Sequence, residues 1–168
     1  VKSAGHKSKV KINVLKKSDL EELGCGLLLA VAKGSKRKPR MLTMLYRGDK
    51  ENKDDILGLV GKGITYDTGG SSLKPNNYMA DMKSDMAGAA SAIAAFAYAV
   101  ETKVKANIAL VVPISENRLA PDSVVPDDVV SELDGTTVEI RNTDAEGRLI
   151  MADALVYAQK FMGATRII

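Results

Sequence analysis

The chain is predicted to be an α/β protein, a three-layer α/β/α sandwich around a mainly parallel sheet. Three observations support this. Short apolar runs at residues 41–46, 56–60 and 107–114 have the length and aliphatic character of buried strands. Segments 79–100 and 149–162 have the composition or spacing of helices, and the two kinds alternate along the chain, as in layered α/β proteins. The two most polar segments, 62–74 and 142–148, each follow a predicted strand, where ligands of open α/β sheets collect.

Residues 19–32 read as a short helix, with Ser18 or Asp19 at its start, Leu20, Leu23, Leu27 and Leu28 inward and Gly34 past its end; Gly24 and Gly26 weaken it. Residues 41–46 and 56–60 are strands joined by a loop at 49–55. Residues 79–100, rich in Ala and Met and free of proline, read as one long helix whose small residues imply close packing. Residues 107–114 form the clearest strand, an unbroken apolar run suited to the inside of a parallel sheet. A loop with Pro121 and Pro126 follows at 116–128. Residues 136–141 alternate like a strand, and 149–162 return to helical spacing through Leu149, Ala152, Leu155 and Val156. The last residues begin another strand.

Composition narrows the classes of function. At 168 residues the chain can bury one sizeable core, and 45% apolar with 27% charged residues is ordinary for a folded domain. The longest apolar run, 88–100, is too short to cross a bilayer, and the lysine-rich start lacks the apolar stretch of a signal peptide, so a cytoplasmic location is expected. Cys25 is the only cysteine and His6 the only histidine, which excludes an intrachain disulfide, a thiolate zinc cluster and a histidine-based zinc site. The net charge of +3 hides an asymmetry: residues 1–40 carry +8 and the remainder −5. A basic arm with Lys7, Lys9, Lys11, Lys36, Arg37 and Lys38 suits nucleic acid, but no aromatic residue is interleaved to stack bases, and a solvated surface is the favoured reading. The start at Val1 and the β-branched pair at Ile167-Ile168 lead us to expect a fragment cut at both ends, its fold truncated on the C-terminal side.

The chemistry-bearing residues concentrate in three places. Asn142-Thr143-Asp144-Ala145-Glu146-Gly147-Arg148 sets two carboxylates and a guanidinium at alternate positions, which on extended chain aims all three at one spot. Carboxylate oxygens suit divalent cations, and the arginine fork suits an anion beside them. Thr143 to Glu146 fits a helix capping box equally well. The glycine-rich stretch from Val60 to Gly70 fails both phosphate-loop patterns: Gly63 follows Gly61-Lys62 where Ser or Thr is needed, and Tyr66 stands where the dinucleotide fingerprint wants its third glycine. Asp67 and Lys74 flank its Gly69-Gly70 turn, with a surface ion pair as the plain alternative. Asp81 and Asp85, four apart on the predicted long helix, share one face, with Met82 beside them. Together, Lys62, Asp67, Asp85, Asp144 and Glu146 make an oxygen-rich set able to hold two metals, Lys62 joining only as the neutral amine. Lys74, left protonated, is the candidate to stabilise a tetrahedral oxyanion.

These residues resemble the leucyl aminopeptidase family of dinuclear metallopeptidases, of the kind for which two-metal hydrolysis is already well known. The resemblance rests on Val60 through Gly70 with Ser72-Leu73-Lys74-Pro75, on Met82-Lys83-Ser84-Asp85-Met86, and on Asn142 through Arg148 followed by Met151-Ala152-Asp153-Ala154-Leu155. It runs from about Leu20 onward. It implies that Asp67 and Glu146 bridge two metals, Lys62 and Asp85 complete one site and Asp144 the other. Lys74 would polarise the peptide carbonyl, Arg148 would hold a bicarbonate acting as base, and Met82 would line the pocket for the first side chain. Zn or Mn, with Mg or Co at one site, are the implied metals, peptides the substrates and a hexamer the assembly. On this reading residues 1–40 are a basic segment and linker helix, and 41–168 the N-terminal part of the catalytic domain. The pattern departs at Ser71, where an aliphatic residue is usual, at Ala80, where an acid is common, and at Asp127, where glycine is. The alternative from another class is an inactive binding or assembly module, using the basic arm.

Overall fold

The computed structural model describes residues 10–168, so His6, Lys7 and Lys9 of the basic arm lie outside the described residues. Among the described residues there are eight strands: β1 (Val10–Leu15), β2 (Arg40–Arg47), β3 (Ile56–Val60), β4 (Gly63–Asp67), β5 (Asn107–Asn117), β6 (Val129–Ser131), β7 (Thr137–Glu139) and β8 (Arg166–Ile167). Strands β6 and β7 pair only with each other. The other six form one sheet in the order β1-β2-β5-β3-β8, with β4 also on β5. Strands β3, β4, β5 and β8 run parallel, and β1 and β2 add an antiparallel margin, so the sheet is mixed.

Strand β5 is central because both its faces are apolar. Ile108, Leu110 and Val112 point into one core with Met44 and Tyr46, covered by Ala89, Phe96 and Ala99 of helix α3 (once α1, Lys17–Leu23, and α2, Gly26–Ala32, are counted, α3 is Ala87–Glu101). Val111 points the other way, into a core with Leu20, Leu27, Leu28, Met41 and, from α4 (Glu146–Lys160), Ile150, Ala154 and Ala158. Helices therefore lie on both faces, and the three-layer α/β expectation holds. Phe96 and Leu110 are fully buried; each side chain of this size contributes roughly 1.5–3 kcal/mol by leaving water.

The structure revises several elements. Helix 19–32 is two helices, divided where Gly24 takes a φ of 83° and its N–H returns to Leu20 and Glu21, a left-handed C-cap. The long helix at 79–100 begins only at Ala87. Before it lie 3-10 turns at Asn76–Met79 and Met82–Ser84, separated by Asp81 at a φ of 62°. Helix propensity there is overridden by the packing of the second turn against β4, so Asp81 and Asp85 do not share a helical face. Strand β4 falls inside the glycine-rich stretch, where no strand is expected from the sequence, and β1 alternates Val10, Ile12 and Val14 with polar residues inside the basic segment.

Candidate metal centre

The site begins with an interruption. Strand β3 leaves β5 after Val60, opposite Val111, and β4 resumes on the same strand at Gly63, opposite Ile114. Lys62 occupies the gap, its carbonyl accepting the N–H of Ala89 at the start of α3 (2.9 Å). A bulge between Ile64 and Tyr66 then shifts the register by one, so that Asp67 lies opposite Asn117. Bulges re-aim side chains in this way, and here the residue re-aimed is a buried carboxylate, 2% exposed. The Lys62 side chain runs across the first turn of α4 at Gly147. A Cβ on Gly147 would lie 2.7 Å from Lys62 Cε and 2.9 Å from its Nζ, so the close approach needs glycine.

Four carboxylates from three segments converge on two lysines. Lys62 Nζ lies 2.8 Å from Asp85 Oδ1 and 2.7 Å from Glu146 Oε1. Lys74 Nζ lies 3.0 Å from Asp67 Oδ2 and 2.6 Å from Asp144 Oδ1. Oxygens of Asp67, Asp144 and Glu146 all come within 4.8 Å of one another. The turn at Gly69, held at a φ of 88°, brings Lys74 back; a Cβ there would meet Ser72 O at 2.4 Å.

The electrostatics are unbalanced. Burial pushes the Glu146 carboxyl above its ordinary value, Asp67 adds to this, and Lys62 opposes it. Burial alone would lower the Lys62 ammonium, but contacts with Asp85 and Glu146 outweigh it and hold the group above its usual range; Asp144 and Asp67 do the same for Lys74. Two ammoniums face four carboxylates, and Asp85 Oδ2, Asp144 Oδ1 and both oxygens of Glu146 are buried without a hydrogen bond. Asp144 Oδ1 and Glu146 Oε1 do meet lysines, at ion-pair distance but without hydrogen-bond geometry. Buried carboxylate oxygens left in this state, beside one amine, fit hard divalent cations.

Segment 142–148 is not extended. Thr143–Ala145 form a 3-10 turn that runs into α4, so the alternate spacing does not project three side chains to one point. Asp144 and Glu146 reach the cluster, whereas Arg148 is exposed and forms no ion pair among the described residues. The capping box is also absent. Thr143 Oγ1 donates to Gly69 O (2.6 Å) and accepts from Ser72 N (2.7 Å), Glu146 turns to Lys62, and Asn142 accepts from the N–H of Asp144. Met82 is half-buried and opens the 3-10 turn that leads to Asp85. One polar residue in the cluster escaped the sequence reading, Asn117, because the predicted strand ended at 114 while β5 continues to Asn117.

Comparison with known proteins converges on one family. The model of the cytosol aminopeptidase family, catalytic domain, matches residues 1–168. Among solved structures, leucine aminopeptidase of Caenorhabditis elegans is 37% identical with a TM-score of 0.89, over 94% of this chain and 32% of that one. The leucyl aminopeptidase of Leishmania major, solved with actinonin, is 37% identical with a TM-score of 0.84, over 90% of this chain and 30% of that one. The leucyl aminopeptidase of Trypanosoma brucei, solved with bestatin, is 38% identical with a TM-score of 0.84, over 90% and 29%. The chain thus spans about a third of the length of the solved relatives it matches.

Proposed function

This chain belongs to the cytosol aminopeptidase family, and from that premise we propose that it carries the metal-binding part of an enzyme that releases N-terminal residues such as leucine from peptides. The observation that supports this best is the meeting of Asp67, Asp85, Asp144 and Glu146 around Lys62 and Lys74, with Asp85 Oδ2 and Glu146 Oε2 buried and without a partner. Asp67 and Glu146 are proposed to bridge two cations, with Lys62 and Asp85 completing one site and Asp144 the other. Zn or Mn are the proposed metals, with Mg or Co exchangeable at one site. Bound there, two such ions supply Lewis acidity and a nucleophile from water near neutral pH.

The chain's own residues do the rest. Lys62 serves as a ligand only after giving up its proton, which its present carboxylate contacts retain. Lys74, whose ammonium Asp144 and Asp67 hold above its usual range, is proposed to stay protonated and to donate to the substrate carbonyl as negative charge develops on it. Arg148 presents an exposed guanidinium at the start of α4, without an ion pair among the described residues, and is proposed to bind a bicarbonate bidentately as the base. Met82, half-buried at the start of the 3-10 turn that leads to Asp85, is proposed to border the pocket for the first side chain. No helix among the described residues is long and apolar enough to cross a membrane, and a cytoplasmic hexamer is the proposed setting. The test is metal titration and leucine-amide hydrolysis by the full-length protein. Asp67→Ala and Glu146→Ala should each abolish stoichiometric two-metal binding and turnover together; unchanged metal binding in both would sink the site assignment.

A further inference from the structure

We propose that Asn117 is a positioning residue of this centre, setting the distance between the Asp67 segment and the Asp144–Glu146 segment; the proposal rests on the two-metal reading above. Asn117 ends β5 and is 2% exposed. Its Nδ2 donates to Asp67 Oδ1 (2.8 Å) and to the carbonyl of Thr143 (3.0 Å), spending both amide hydrogens. The carbonyl of Asn117 accepts from Thr68 N and Thr68 Oγ1, both at 2.9 Å. One residue of the central strand is therefore bonded to the chain on either side of the site.

The orientation of the amide is settled by its partners. Turned over, its oxygen would face a carboxylate oxygen and a carbonyl, two acceptors with no hydrogen between them. As it stands, Asp67 Oδ1 receives two donors, Asn117 Nδ2 and the N–H of Gly69 (2.9 Å). Its hydrogen-bonding capacity is thereby filled, and the carboxylate is fixed with Oδ2 turned toward Lys74 and the open part of the cluster. Thr143 is immediately followed by Asp144, so the second bond of the same amide anchors the other ligand segment. Groups that hold ligands in this way typically govern metal affinity about 10- to 100-fold.

The test uses the full-length protein, with Co2+ alone as the probe, followed by its visible d–d absorption and by calorimetry. Asn117→Ala should weaken Co2+ binding by about 10- to 100-fold and alter the absorption bands, while the metal-free variant still melts cooperatively. Asn117→Ser, which keeps one donor, should lie between it and the wild type, and it carries the test if the alanine variant does not fold. Affinity within twofold of the wild type and unchanged bands in a folded variant would overturn the proposal. Failure of the wild type itself to bind two ions would instead overturn the two-metal reading. The metal-free crystal structure of the variant then decides: Asp67 displaced from its present orientation supports the positioning role, and Asp67 unmoved rejects it.

Discussion

Asp153 is a fully buried carboxylate that the metal centre does not use. Its carboxylate accepts the N–H of Leu28 (2.8 Å), in the first turn of α2, and that of Leu133 (2.9 Å), beyond β6, tying both to α4. Loss of water pushes its pKa from 3.8 to about 6, the backbone bonds pull the other way, and Glu132 adds to the rise. An acid whose folded-state pKa is raised is neutral in both states at low pH, but ionises first in the unfolded chain as pH climbs. Stability should therefore fall between about pH 4 and pH 6 and level off above, by an amount on the order of 3 kcal/mol. Urea denaturation from pH 4 to 7 should show this fall in the wild type relative to Asp153→Asn; parallel curves would contradict it. A second residue explains a departure from the family pattern. Asp127 stands where glycine is common, and its φ of 73° is the left-handed conformation that glycine adopts freely. Its exposed ion pair with Arg141 (3.1 Å) compensates little. Asp127→Gly should gain up to about 1 kcal/mol in a chemical melt, and a loss would show that the pair outweighs the strain.

At the scale of elements, the site depends on a strand broken in the right place. Patterning alone located β2, β3, the core of β5 and most of α4, because their burial is written in uninterrupted or regularly spaced apolar residues. It missed β4, since Gly63 and Asp67 carry no strand signal and only pairing to β5 makes them one. It also extended α3 back through Asp85, because alanine and methionine favour a helix while the contact of Asp85 with Lys62 is invisible locally. Where α4 meets the gap between β3 and β4, Gly147 leaves the space that Lys62 crosses. Gly147 stands in the first turn of α4, where alanine is no worse a helix former than glycine, and the atoms its Cβ would strike belong to the far end of a flexible side chain. Gly147→Ala should consequently keep its thermal stability but weaken Mn2+ binding about tenfold or more, read by calorimetry. Wild-type affinity in that variant would show that the path of Lys62 across α4 is immaterial.

Over the whole molecule, the sheet brings together charges that the chain keeps far apart in sequence. Lys62, Asp67 and Lys74 come from the β3–β4 side, Asp85 precedes α3, and Asp144 and Glu146 open α4. The excess of carboxylates over lysines opposes folding until cations fill it. Mn2+ or Zn2+ should raise the thermal midpoint, each site adding about 2.7 kcal/mol at a hundredfold excess over its dissociation constant. A chelator should reverse the gain, and Asp67→Ala should remove it. A midpoint that ignores both metal and chelator would count against the centre.

The amino-acid pattern by itself determined the α/β class, the inward faces of the main strands and helices, the absence of thiol or imidazole ligands other than Cys25 and His6, and the candidate set Lys62, Asp67, Lys74, Asp85, Asp144 and Glu146. Those features follow from periodicity, composition and residue chemistry, which are local. Only the tertiary structure decided that Thr143 latches the Gly69–Ser72 turn instead of capping a helix, that Arg148 stands apart from the acids preceding it, and that Asn117 joins the two ligand segments. Each of these depends on a partner between 26 and 74 residues away, or on which way a helix start turns. Sequence spacing carries no record of that, because hydrogen bonds across a sheet edge are set by register, and register is a property of the assembled strands.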